Sequence, residues 1–163
     1  MFDCSYDAKS WIIYALNCLS ADVFERCRDR LAFVCMDTSD GRRLTPEFME
    51  GREIIVLSER IVPRGCLAED HPKVRYFVFV VLHEIAHAVC QHRPPNQITE
   101  EKYSAQEAEA HGLAFSWFND YLRARKHPDL REFTEQELKQ AQTTSQGAAE
   151  RFFKDDSVAL QAV

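Results

Sequence analysis

The chain lacks several features that would assign it at once to a broad class. Its six cysteines form no Cys-x-x-Cys pair and no regular framework; they are Cys4, Cys18, Cys27, Cys35, Cys66 and Cys90. We therefore interpret them mainly as small buried apolar residues in a reducing compartment. Positive charge is not in excess, because the formal net charge is −6 and the isoelectric point is near 5.5. This balance argues against a general nucleic-acid binder.

Long uncharged apolar runs are also missing. No such run reaches membrane-spanning length, and the first five residues show no basic region followed by a long apolar core. We accordingly predict neither a membrane span nor a signal peptide, and we expect a cytoplasmic protein. No internal repeat is visible. The composition, with 45% hydrophobic and 11% aromatic residues over 163 positions, suits a globular domain with a proper core.

Apolar patterning and chain breakers predict a mainly helical α+β fold with a small sheet. Helices are expected over residues 5–19, 22–30, 74–91, 100–126 and 135–142, and strands over residues 31–36 and 53–58. Ser20 or Asp22 and Thr99 are candidate N-caps, and Thr134 opens a capping box with Glu137. Short helical turns are expected at residues 45–47 and 148–154. Such a small number of strands excludes a doubly wound sheet.

One motif carries chemistry. His83-Glu84-Ile85-Ala86-His87 lies in an apolar run without Gly or Pro, so two imidazoles four residues apart share one helix face. That spacing suits a tetrahedral Zn²⁺, and Glu84 can act as a general base toward an attacking water. The alternative is a core helix whose histidines are satisfied by their neighbours. The motif favours the zinc interpretation.

A catalytic zinc needs a third protein ligand, and the next helix offers four acids. They are Glu100, Glu101, Glu107 and Glu109. The last two lie among small residues that would let this helix approach the motif helix closely. A solvated helix face is the alternative interpretation for both, although it is weaker for acids embedded in alanines.

At this point the sequence resembles the gluzincin zinc peptidases, most closely their ImmA/IrrE-like branch. The resemblance is carried by His83-Glu84-x-x-His87, by Arg75-Tyr76-Phe77 before it, and by Glu-x-Glu-Ala-x-x-Leu-Ala from Glu107 to Ala114. The resemblance covers roughly residues 50–122 and implies a zincin-like metallopeptidase domain, which we place at residues 1–130. The polar composition after it predicts a helical tail over residues 131–163. The resemblance also implies an edge strand beside the cleft that holds an extended peptide, and we expect residues 53–58 to be that edge.

The resemblance implies a glutamate as third ligand and a polar residue four positions later, bonded to the outer nitrogen of a metal-bound histidine. Counting from Glu107 that residue is His111, whereas counting from Glu109 it is Leu113, which cannot serve. We therefore favour His83, His87 and Glu107 as the zinc ligands. Glu109 remains the competitor.

Other residues near the motif are assigned by exclusion. The metzincin extension fails, because Cys90 stands in place of its glycine and Arg93 in place of its third histidine. His92, close to the end of the motif helix, is expected to be a surface or substrate-side residue, and Cys90 to be a core residue. An oxyanion donor is also needed, for which Tyr103, Tyr121 and His92 are candidates by type.

The expected activity is zinc-dependent peptide-bond hydrolysis with Glu84 as the general base, acting on a protein or peptide substrate. Neither nucleic acid nor a membrane is an expected partner. One alternative is a zinc-bearing regulatory or protein-binding module without strong peptidase activity. Another is a helical interaction domain that contains the motif by chance. An intact Glu84 favours the enzyme, because a pure metal scaffold needs only the ligands.

Overall fold

The computed structural model describes residues 2–36, 41–44, 52–125 and 130–144; for residues 2–3 and 41–44 it describes the backbone only. The chain forms two compact units, residues 1–132 and residues 133–163. The expected turns at residues 45–47 and 148–154 lie outside the described residues. In the second unit, residues 135–144 are helical.

The first unit is an α+β fold, mainly helical with a small sheet, as predicted. Its helices are α1 (Tyr6–Asn17), α2 (Ala21–Cys27), α3 (Pro72–Val89) and α4 (Glu100–Arg125), with a 3₁₀ turn at Pro95–Gln97. Its strands are β1 (Phe2–Asp3), β2 (Leu31–Met36), β3 (Gly41–Leu44) and β4 (Glu53–Ser58). The helix in the second unit is α5 (residues 135–144).

The sheet has the order β1-β2-β4-β3. Strands β1, β2 and β4 run parallel, with Leu31 opposite Glu53, and β3 closes the sheet antiparallel to β4. The expectation that residues 53–58 form an edge is therefore wrong, since β4 pairs on both sides. All six of its residues are buried, as in strands covered on both faces. In the described residues the sheet ends at β3 instead.

Helix α3 is the centre of the first unit. Pro72 occupies its first turn, and His71 caps it by accepting a hydrogen bond from the Lys73 backbone N–H at 3.1 Å. Helices α1 and α4 and strands β3 and β4 all pack against α3. Ala110 and Ala114 of α4 have no exposed surface, so small residues bring α4 close to α3 as predicted. An apolar helix needs burial on most faces, and these neighbours supply it.

The predicted N-caps are largely confirmed. Ser20 accepts a hydrogen bond from the Val23 N–H, Thr99 accepts one from the Lys102 N–H, and Thr134 and Glu137 form a reciprocal capping box. None of the helices in the described ranges combines the length and hydropathy that a transmembrane span requires.

The cysteine prediction was too broad. None of the six cysteines, all of which lie in the described residues, forms a disulfide, and only Cys18 and Cys27 are buried. Cys66 is exposed, and Cys90, expected in the core, is only partly buried. Small size alone therefore does not place these side chains in the interior.

Candidate metal centre

Three side chains from two helices converge at one point. The Nε2 atoms of His83 and His87 lie 3.0 Å apart on α3. Glu107 of α4 places Oε2 at 3.3 Å from Nε2 of His83 and Oε1 at 3.4 Å from Nε2 of His87. The two imidazole side chains retain 17% and 13% exposure and the carboxylate 37%, so the cluster lies near the surface. The structure thus brings together the three residues that the sequence nominated as ligands.

The dimensions of this triangle fit a tetrahedral zinc ion. Zinc bonds of about 2.0–2.1 Å at tetrahedral angles separate neighbouring ligand atoms by about 3.3 Å. The Nε2–Nε2 separation of 3.0 Å and the two Nε2–carboxylate separations of 3.3 and 3.4 Å, which end on different oxygens of Glu107, each lie within a few tenths of an ångström of that value. A shift of that size needs only small side-chain rotations. Three nitrogen and oxygen donors with one remaining position are the ligand set of a catalytic zinc site.

The acid in this cluster is held in the state that binds metal. A hydrogen bond from His83 is the main cause that lowers the pKa of Glu107, with further lowering by the charges of His87 and His83. Burial acts in the opposite direction but does not prevail. Glu107 therefore remains a carboxylate at neutral pH, and a carboxylate is the form that coordinates zinc.

Tyr103 lies next to Glu107 at the edge of the cluster and is partly exposed. Burial is the main cause that raises the pKa of Tyr103, followed by the charge of Glu107 and a hydrogen bond to it, and then by the charge of Glu84. The Tyr103 hydroxyl is therefore a neighbour of both carboxylates and stays protonated at neutral pH. Tyr103 is thus close enough to Glu84 for the charge of that carboxylate to raise its pKa. Tyr121 instead stacks against Tyr14 and contacts Arg125.

His92 is not a surface residue, although a surface position was one of the two predicted for it from the sequence. It is only 7% exposed, and its Nδ1 lies 2.9 Å from Nδ1 of His87. Its other ring nitrogen, Nε2, lies 3.1 Å from Oε2 of Glu109. Glu109, the competing third ligand, thus contacts His92, and the cluster around His83 and His87 contains Glu107 instead.

The role expected for His111 is wrong. The buried Nδ1 atom of His83 has no hydrogen-bond partner among the described residues. The His111 ring lies 6.4 Å from that of His83 between centroids and packs edge-on against Phe79 at 5.3 Å. The physical reason is that spacing along α4 fixes the backbone position of His111 but not the direction of its side chain. The ring packs against Phe79 and Phe115 instead of reaching His83.

The local backbone explains why the sequence did not reveal His92. Helix α3 ends in a Schellman motif: the Gln91 N–H bonds to the Ala88 carbonyl at 3.2 Å, and the His92 N–H bonds to the His87 carbonyl at 3.0 Å. The motif needs a left-handed residue, here Gln91 at φ 55°. Glycine is the usual residue at that position. Because a glutamine stands there, nothing in the sequence marked the turn that brings His92 next to His87.

Comparisons with protein-family models, with curated proteins and with solved structures gave no match to this chain. Its function must therefore be inferred from the cluster itself.

Proposed function

We propose that the protein is a zinc-dependent peptidase of the gluzincin type, similar to the ImmA/IrrE-like branch. The observation that carries the proposal is the convergence of three side chains. The Nε2 atoms of His83 and His87 lie 3.0 Å apart, and the two oxygens of the Glu107 carboxylate lie 3.3 and 3.4 Å from them. His83, His87 and Glu107 would hold the metal. Once bound there, zinc would polarise the scissile carbonyl and lower the pKa of an attacking water.

The remaining chemistry falls to the side chains of this chain. Glu84 follows a ligand on α3 and is only partly buried, so it can accept a proton from water as the oxygen adds to the carbonyl carbon. It then returns the proton to the leaving amine as the carbon–nitrogen bond breaks. Atoms balance without a covalent enzyme intermediate, because water supplies both the hydroxyl and the proton.

Tyr103 is our proposed oxyanion donor. Its hydroxyl hydrogen-bonds to Glu107 and lies close to Glu84, and its raised pKa keeps the donating proton in place at neutral pH. A preoriented donor of this kind stabilises the negative charge that develops on the carbonyl oxygen. Since Tyr103 is 39% exposed, it borders the solvent from which a substrate arrives.

An extended peptide is the proposed substrate class. Strand β3 ends the sheet within the described residues, pairs antiparallel with β4 and packs against α3. A peptide added to such an edge is bound mainly through backbone hydrogen bonds, which tolerate varied side chains. We also propose a cytoplasmic location, with which six cysteines that form no disulfide agree.

The test is digestion of a broad peptide library by the zinc-loaded protein, with products identified by mass spectrometry. Wild type should cleave, and chelator-treated protein should not. Glu84→Gln keeps the shape but removes the basicity, so it should retain zinc and lose about 10²- to 10⁴-fold in rate. Glu101→Gln, the same change on an exposed part of α4, serves as the matched control.

Two results would contradict the proposal in different ways. If Glu84→Gln cleaves as fast as wild type, the general-base assignment is wrong. If wild type binds one zinc per chain but cleaves no peptide in the library, the zinc-bearing regulatory module replaces the enzyme.

A further inference from the structure

We propose that Glu109 and His92 form a positioning chain that fixes the tautomer and the ring orientation of the metal ligand His87. The chain runs from the Glu109 carboxylate to Nε2 of His92 at 3.1 Å, and from Nδ1 of His92 to Nδ1 of His87 at 2.9 Å. This inference rests on the proposed metal site, although it concerns residues outside the ligand set.

The order of the hydrogen bonds determines where each proton lies. A carboxylate can only accept, so Nε2 of His92 carries a hydrogen and donates to Glu109. In a neutral imidazole the other nitrogen is then an acceptor, so Nδ1 of His92 accepts from Nδ1–H of His87. His87 is left with a lone pair on Nε2, the atom that points at His83 and Glu107. Glu109 thus selects the tautomer of His87 that can bind metal, although it is two hydrogen bonds away.

Hydrogen bonds at both ends of the segment from His87 to Arg93 hold His92 in place. At one end, the Schellman motif bonds the His92 N–H to the His87 carbonyl, so the two rings belong to one folded helix terminus. At the other end, the Gln106 side chain accepts from the Arg93 N–H at 3.1 Å and donates to the Arg93 carbonyl at 3.0 Å. Gln106 precedes Glu109 by three residues on α4, so the same helix face clamps the loop and supplies the carboxylate.

A second metal ion is the competing explanation, because Cys90, His92 and Glu109 also lie close together. Such an ion would need the lone pair of His92 Nε2, which moves the ring hydrogen to Nδ1. That hydrogen would then point at Nδ1 of His87, so the single ring hydrogen of His87 would have to lie on Nε2. His87 could then not bind the metal held with His83 and Glu107. Neutral imidazoles therefore favour one metal and a positioning chain.

The first measurement is zinc affinity by chelator competition. Loss of a residue that orients a metal ligand typically weakens metal binding about 10- to 100-fold, and we expect this for Glu109→Ala and for His92→Phe. The double variant should be no weaker than His92→Phe alone, because Glu109 acts through His92. Glu101→Ala, which removes the same charge elsewhere on α4, should bind zinc like wild type.

The second measurement needs neither zinc nor turnover. Long-range ¹H–¹⁵N correlation spectra of the metal-free protein, recorded where its imidazoles are neutral, should show His87 with its hydrogen on Nδ1 in wild type. In Glu109→Ala this preference should weaken. Glu109 has an exposed side chain, so this variant keeps the test usable even if His92→Phe does not fold. If the protein binds no zinc but His87 has the expected tautomer, the proposed function is wrong and the positioning chain is still supported.

Several results would contradict the proposed positioning chain of Glu109 and His92. One is Glu109→Ala with unchanged zinc affinity and an unchanged His87 tautomer. Another is complete loss of zinc in Glu109→Ala with no dependence on His92, which would make Glu109 a ligand. A third is two zinc ions per wild-type chain, one of them lost in His92→Phe.

Discussion

The two histidines of the candidate zinc site share a helix face but not an environment. On the His87 side, the outer ring nitrogen bonds to His92, which in turn bonds to Glu109. On the His83 side, the outer nitrogen is buried without a hydrogen-bond partner among the described residues, and the ring centroids of Phe79 and His111 lie 6.1 and 6.4 Å from that of His83. Helical spacing delivers both imidazoles to the site, whereas tertiary contacts decide how firmly each is oriented.

The difference has an energetic side. A buried polar group without a partner costs about 1–3 kcal/mol relative to a satisfied one. The His83 side has no such hydrogen bond among the described residues and relies on packing for its orientation. The His87 side avoids that cost through two hydrogen bonds. We infer that the metal site depends on directed polar contacts on one side and on apolar packing on the other.

The largest expected effect removes either side altogether. His83→Ala and His87→Ala should each abolish stoichiometric zinc binding, since two protein ligands do not form a catalytic zinc site. Elemental analysis after gentle purification measures this. His71→Ala, a histidine change at the N-terminus of the same helix, is the control. Stoichiometric zinc in either ligand variant would show that the metal lies elsewhere.

Tyr103→Phe tests the hydroxyl beside Glu107, which is part of neither of the two histidine environments. It removes only the hydroxyl, so zinc affinity should stay close to that of wild type, while peptide hydrolysis falls about 10²- to 10³-fold, the usual effect of losing an oxyanion donor. Rate and zinc content are measured on the same sample. Tyr121→Phe, at the far end of α4, is the matched control and should leave the rate unchanged.

The smallest effect on metal is expected from His111→Ala, on the His83 side. Because His111 does not bond to His83, zinc affinity should change little, in contrast to the loss of about 10- to 100-fold expected for Glu109→Ala. The ring packs on Phe79 and Phe115, so the variant should instead lose about 0.5–1.5 kcal/mol of folding stability in urea titrations of metal-free protein. Loss of zinc at unchanged stability would contradict this division.

Those residues also mark how far the sequence can predict such a site. The apolar runs at β2, β4 and α3 predicted these elements to within a few residues, since hydrophobic periodicity determines what must be buried. Residues 83 and 87 followed from helical spacing, whereas Glu107 was preferred to Glu109 only through the resemblance, by way of a contact of His111 that does not form. Strand β3, with the sequence Gly-Arg-Arg-Leu, has no strand pattern, so its pairing with β4 and the interior position of β4 were missed.

The positions of His92 and His111 could not be predicted in the same way. His92 reaches His87 only because Gln91 adopts a left-handed conformation that its residue type does not signal. His111 is turned toward Phe79 by packing between helices, which residue spacing along one helix does not encode. The first error concerns a backbone turn and the second the orientation of a ring, and both depend on contacts that form only when the elements assemble.

The central claim is that His83, His87 and Glu107 bind one zinc ion while Glu109 stands outside the ligand set. The most direct test is a chelator-competition titration that compares Glu107→Ala with Glu109→Ala. We predict one zinc per wild-type chain, no stoichiometric zinc in Glu107→Ala, and one zinc held about 10- to 100-fold more weakly in Glu109→Ala. The reverse order, with Glu107→Ala still loaded and Glu109→Ala empty, would contradict the account.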